Sequence, residues 1–230
     1  ESASFAKSKL TTSGDQGVGT VISAASVSFT DSELQAGKVN TALVDSKGDV
    51  IFMGSKIVVD GELASGIKSG AGVNFASSTI DVKEVKDTLI SAVNVSFAKS
   101  TVSAGASAKG IVAEKGITFD ESGLSIGAAS TVGLQAASIV FKNGSTLELA
   151  DIGSKPVTKS DNFTFADSTL RFNTGKATRN APIIQVKNAP VMTGKNAMDF
   201  TAVPNGTFTI LTAALPEKDS LDKSKTIDTF

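Results

Sequence analysis

The sequence predicts an all-β protein, a right-handed parallel β-helix of about 22–24 residues per coil with a C-terminal cap, and three observations carry that prediction. First, Phe recurs at a near-constant interval: Phe5, Phe29, Phe52, Phe75, Phe97, Phe119, Phe141 and Phe165 are separated by 24, 23, 23, 22, 22, 22 and 24 residues. Second, the same short consensus surrounds each Phe, as in SVSFTDSELQAG, GVNFASSTIDV and GITFDESGLSIG. Third, apolar and polar residues alternate within each copy, the period of a half-buried strand and not of a helix. A β-sandwich also has short strands and frequent turns, but it has no need of like residues at a constant offset. A repeat of this length is one coil, able to bury its apolar side only against its neighbours.

The elements of a coil follow in order. The first strand ends at the Phe, with an apolar residue two places earlier, from Val27 and Val50 to Ile117 and Ile139. A bend follows, rich in Ser, Asp, Asn and Gly. Its recurrent member stands three after the Phe: Ser8, Ser32, Ser55, Ser78, Ser100, Ser122 and Ser168, with Ser145 one place late because Gly144 is inserted. Serine there is suited to bond neighbouring backbone and to stack as a ladder. The second strand carries apolar residues five and seven after the Phe, such as Leu34 and Ala36 or Leu124 and Ile126. A third short patch completes the coil, including Leu43/Val44, Leu89/Ile90, Ile111/Val112 and Val132/Leu134. Equivalent residues are then expected about 4.8 Å apart along the axis.

Residues 1–175 hold the eight F-x-x-S coils; after Phe172 the consensus lapses. The stretch 176–215 contains the strand-like segments PIIQV, MDFTAV and GTFTILTAAL and reads as C-terminal coils or a cap that protects an open strand edge. Residues 216–230, mostly polar, read as a linker or truncated end.

Composition narrows the chemistry. The 230 residues carry a net charge of −1 and contain no His, Cys, Trp or Tyr, so all aromatic residues are the 13 Phe. Zinc, haem and iron–sulfur sites, thiol nucleophiles and Ser-His-Asp triads are thereby excluded, and no cofactor or metal is expected. The balanced charge offers no footprint for nucleic acid. No apolar run reaches the roughly 18 residues of a membrane-spanning helix, and no signal peptide opens the sequence.

The remaining motifs read as structure. Asp120-Glu121 is the best local carboxylate pair, and adjacent turn residues of this kind form a solvated corner. The glycines of GDQGVGTV lack a following helix, and Ser4–Lys7 and Ser96–Lys99 are copies of the repeat, not acyl-transfer nucleophiles at a helix start. DSKGD at 45–49 is too sparse for calcium. No catalytic residue is therefore expected; the expected ladders are structural.

The repeats ITFDESGLSIG and FTFADSTLRFNTG, followed by MDFTAVPNGTFTILTAA, resemble passenger domains of bacterial type V autotransporters. The similarity spans about residues 1–215, and GTFTILTAA is similar to the end of such passengers ahead of the outer-membrane β-barrel. The F-x-x-S copies also resemble the F-x-x-N repeats of chlamydial polymorphic membrane proteins, although the paired GGA[ILV] motif of those proteins is absent. The resemblance implies a non-catalytic adhesin or display stalk on the bacterial cell surface, exported across the outer membrane and attached to the membrane only through a barrel outside this sequence. It implies a host-cell or matrix receptor or a glycan as partner. A polysaccharide-degrading β-helix enzyme and a self-assembling surface-layer element are the alternatives.

Overall fold

The computed structural model describes residues 1–13, 16–152, 157–172, 182–199 and 210–213. Among them are twenty strands and no helix, and the strands pair in parallel throughout. The first three coils each have three strands. They are β1 (Ala3–Ala6), β2 (Lys9–Thr12) and β3 (Val18–Ala24); β4 (Val27–Thr30), β5 (Glu33–Ala36) and β6 (Val39–Ser46); and β7 (Val50–Met53), β8 (Lys56–Leu63) and β9 (Ile67–Ser69). Each strand pairs with its counterpart one coil on, so three strand stacks form the walls of a β-solenoid.

After β10 (Gly72–Ala76) the expected three strands per coil merge. The strands β11 (Thr79–Ala98), β12 (Thr101–Asp120) and β13 (Gly123–Lys142) each run 20 residues from one bend to the next. Pairing survives the two intervening corners by slipping register, for example between Val85 and Thr88 and between Ala92 and Asn94. Only the bend after each Phe interrupts these strands, because the backbone there leaves the β region.

The core is a set of columns. Phe5 pairs in register with Phe29, Phe29 with Phe52, and so on through Phe75, Phe97, Phe119, Phe141 and Phe165. From Phe5 to Phe141 the rings stack with centroids 4.5–5.1 Å apart and planes within 15°. The spacing is that of the strands themselves, so the backbone sets it and the rings fill it. Beside this column lie Leu34, Ile57, Ile80, Val102, Leu124, Leu147 and Leu170, all buried. Of the third-side residues, Leu43, Val44, Leu89, Ile90, Ile111, Val132 and Leu134 are buried as expected, but Val112 faces outward and is half-exposed. The corner slip before it turns the following alternation over by one residue.

The strands β14 (Thr146–Ile152), β15 (Thr158–Ala166) and β16 (Thr169–Phe172) extend the same stacks. They are followed by β17 (Ile184–Val186), β18 (Val191–Thr193), β19 (Ala197–Asp199) and β20 (Leu211–Ala213). Met192 pairs with Phe165, Met198 with Leu170, and Leu211 with Ile184. The C-terminal strands thus continue the coils, with methionine, an adaptable filler, in the Phe and Leu columns. The strand at Val191–Thr193 was not anticipated. The expected junction at 175/176 and the expected terminal segment 216–230 lie outside the described residues.

Candidate functional site

The bend after each Phe is built from two stacked features. The residue two after each Phe, which reads from sequence as merely solvent-facing, has a left-handed backbone in every copy. Lys7, Asp31, Ser77, Lys99, Glu121, Asn143 and Asp167 have φ of 48–55°, and Gly54 has 58°. Such a φ is uncommon for residues with a β-carbon, and its recurrence makes the eight corners one column. The serine that follows is turned inward. Ser32, Ser55, Ser78, Ser100, Ser122, Ser145 and Ser168 are at most 5% exposed.

Each serine hydroxyl from Ser32 to Ser145 has two partners. Ser100 Oγ donates to Ala98 O at 2.8 Å in its own coil and accepts the N–H of Ser78 in the preceding coil at 3.1 Å. The same acceptor role links Ser8 to Ser32, Ser32 to Ser55, Ser55 to Ser78, Ser100 to Ser122 and Ser122 to Ser145. The serines therefore satisfy the N–H and C=O groups that the left-handed residue removes from the strand ladder, as buried backbone groups require. The predicted serine column is a structural spine, its hydroxyls from Ser32 to Ser145 committed on both sides.

The candidate carboxylate pair is drawn apart by its neighbours. Asp120 accepts hydrogen bonds from Asn143 Nδ2 at 2.7 Å and pairs with Lys142 Nζ at 2.9 Å. Those bonds, Asn143 first, hold its carboxyl below the usual range, so it is an ionised acceptor and a poor proton donor. Glu121 faces Lys99 at 3.9 Å instead. Of the other motif residues, Ser96 Oγ donates to Asn74 and Asp49 Oδ1 accepts the N–H of Gly72 at 2.8 Å. Among the described residues no three acidic side chains are placed to hold a metal ion.

A concave feature lies elsewhere, at the corner between the third side of each coil and the first strand of the next. A groove of about 830 Å³ runs there along the solenoid axis, from Ser69 to Lys187. Its floor is made of small, buried residues, Ala92, Ala113, Ala136 and Ser160, all at most 7% exposed. One wall is the outward column Ser91, Val112, Gln135, Lys159 and Gln185, which the strand register stacks coil on coil. The other carries Glu114, Asp161 and Lys187. Lys187 pairs with Asp161 at 3.6 Å, whereas Glu114 and Lys159 form no ion pair among the described residues.

Ser160 differs from Ser69, where the groove begins, whose Oγ donates to Gly48 O at 2.8 Å. Ser160 Oγ has no hydrogen-bond partner. This groove escaped the sequence reading because its floor stands five residues before the Phe in some coils and six in others, as at Ala92 and Ala113. A recurrent Ala or Ser in that loosely spaced position was the available signal. No family model, no curated protein and no solved structure matches the chain.

Proposed function

We propose that the chain is a non-catalytic, surface-displayed β-solenoid of the autotransporter-passenger kind, working as an adhesive or spacer element, with the axial groove as its recognition surface. The observation that carries this reading is the spine. Every corner from Phe29 to Phe141 repeats one left-handed residue and one doubly bonded serine, with coils of 22–24 residues. Coils of such constant length give a rod of uniform sides and leave no long loops from which to assemble an active site. The charged groups that line the groove are scattered over several coils, without the close pair of carboxylates that glycoside hydrolysis uses. The test is release of reducing ends from a panel of acidic polysaccharides incubated with the chain. No release is expected, and clear turnover would replace this reading with that of a β-helical enzyme.

A further inference from the structure

We infer that Asn143 is a site of spontaneous deamidation, held in check by the docking of the eighth coil, that of Phe165. In an Asn-Gly dipeptide the backbone nitrogen of the glycine reaches the asparagine amide with no side chain in its way. In the left-handed corner column the next residue is Ser in every copy except that of Asn143, where it is the inserted Gly144. The insertion therefore creates the reactive dipeptide at one corner of the column. Both residues are exposed, and a β-carbon at Gly144 would meet no atom within 4 Å, so water reaches the corner freely.

The restraint lies in where the two reacting groups point. Asn143 Nδ2 donates to Asp120 Oδ1 in the sixth coil at 2.7 Å. The Gly144 N–H donates to Asp167 O in the eighth coil, also at 2.7 Å. The amide is drawn toward one neighbouring coil and the nucleophile toward the other. Attack needs the Gly144 nitrogen released from Asp167 and turned back to Asn143 Cγ, so the eighth coil must open first. That coil is where ring stacking breaks down, with Phe165 tilted by 57° against Phe141. Local opening is fast beside a reaction of days, so the rate follows the fraction of chains with this contact open.

The reaction needs only water. The Gly144 nitrogen bonds to Asn143 Cγ, the Cγ–Nδ2 bond breaks, and the proton from Gly144 leaves with Nδ2 as ammonia. Water then opens the resulting succinimide at either carbonyl, giving aspartate or isoaspartate. In the aspartate product a carboxylate replaces the donor that Asp120 accepts from, and two like charges then face each other across neighbouring coils. Lys142, 2.9 Å from Asp120, softens this repulsion without restoring the lost donor. Deamidation therefore weakens the corner that held it back.

The experiment is a time course of the full chain at mildly alkaline pH, with acid formed at Asn143 read by peptide mass spectrometry. The same chain in guanidinium chloride supplies the unrestrained rate. The folded chain is expected to react at Asn143, but at least about tenfold more slowly than the unfolded one, the worth of two net hydrogen bonds. Asp120→Ala releases the amide and should raise the folded rate about three- to tenfold, the range of one such bond. Phe165→Ala loosens the eighth coil without touching Asn143 and should also raise it. Circular dichroism checks that both variants stay folded, and Asp120, half-exposed at the corner, keeps the test open should Phe165→Ala not fold. Asn143→Asp, which has the chemistry of one product, should unfold at lower denaturant than the unmodified chain. A folded rate equal to that in guanidinium chloride overturns the inference. So does a rate, or an absence of reaction, that neither variant changes. An Asn143→Asp midpoint equal to that of the unmodified chain overturns the claimed weakening of the corner.

Discussion

The coils from Phe5 to Phe141 and those beyond Phe141 share one architecture but differ in order. In the first region seven rings stack with near-parallel planes. At the eighth, Phe165 still pairs in register with Phe141, yet its ring is tilted by 57° at 5.8 Å. Two local changes account for this. Phe163 stands where the earlier coils have Val or Ile, and it crowds the column, tilted by 46° against Phe141. Gly144 also lengthens the bend, so Ser145 N–H turns back to Lys142 O at 3.3 Å. The spine then resumes: Asn196 takes the serine's place, accepting from Ser168 N–H at 3.1 Å and donating to Phe165 O and Thr193 O. Backbone register thus survives an insertion that side-chain stacking does not. Gly144 absorbs the extra residue with φ of 79°, and Leu147 re-enters its column opposite Leu124.

The largest test of this contrast compares Phe97→Ala with Phe165→Ala. Loss of Phe97, held between two parallel rings, should cost about 3–5 kcal/mol in urea unfolding. Phe165 has one near-parallel ring beside it, Phe163 at 12°, so its loss should cost less by about 0.5–1.5 kcal/mol, the worth of one ring pair. Equal costs would show that stacking geometry adds nothing to burial here.

Next comes the spine. Ser100→Ala leaves the Ser78 N–H and the Ala98 carbonyl without their side-chain partner, and should cost about 1–3 kcal/mol. Ser160→Ala, which breaks no bond in the protein, should leave the unfolding midpoint in place. A smaller gain is expected from deleting Gly144, which returns Ser145 to the third place after Phe141 and lets its N–H reach Ser168 Oγ. The rise should be about 0.5–1.5 kcal/mol, one net hydrogen bond, and a fall would mean that the longer bend is itself required.

The smallest effect is one of pH. The Asp120 carboxyl is held low in the folded chain, so its contribution is present above the carboxylate's unfolded pKa and is lost as pH falls through the folded one. Because the pair is exposed, the loss should be slight. A carbon-detected titration should show Asp120 ionising below its ordinary range, and Asn143→Ala should bring it back up.

The Phe and Ser columns were legible because their offset from one another stays constant through the bend in every copy but that of Phe141. The left-handed corner was half-legible: Asp31, Gly54, Ser77, Asn143 and Asp167 share one position, all residues that turns favour, but Lys7, Lys99 and Glu121 in the same column obscure it. Val112 was misplaced, and the groove floor unseen, for one reason. Corner slips of a single residue exchange inside for outside, and no fixed offset from Phe survives them.

What the sequence determined alone is the coil: its length, its inward residues and the stacking of like on like, since alternation and period follow from the covalent chain and its need to bury apolar surface. Which corners stay continuous, where the rings tilt, and how small residues open a groove were decided only by packing one coil on another. There each backbone group must find its partner in a neighbouring coil, more than twenty residues away.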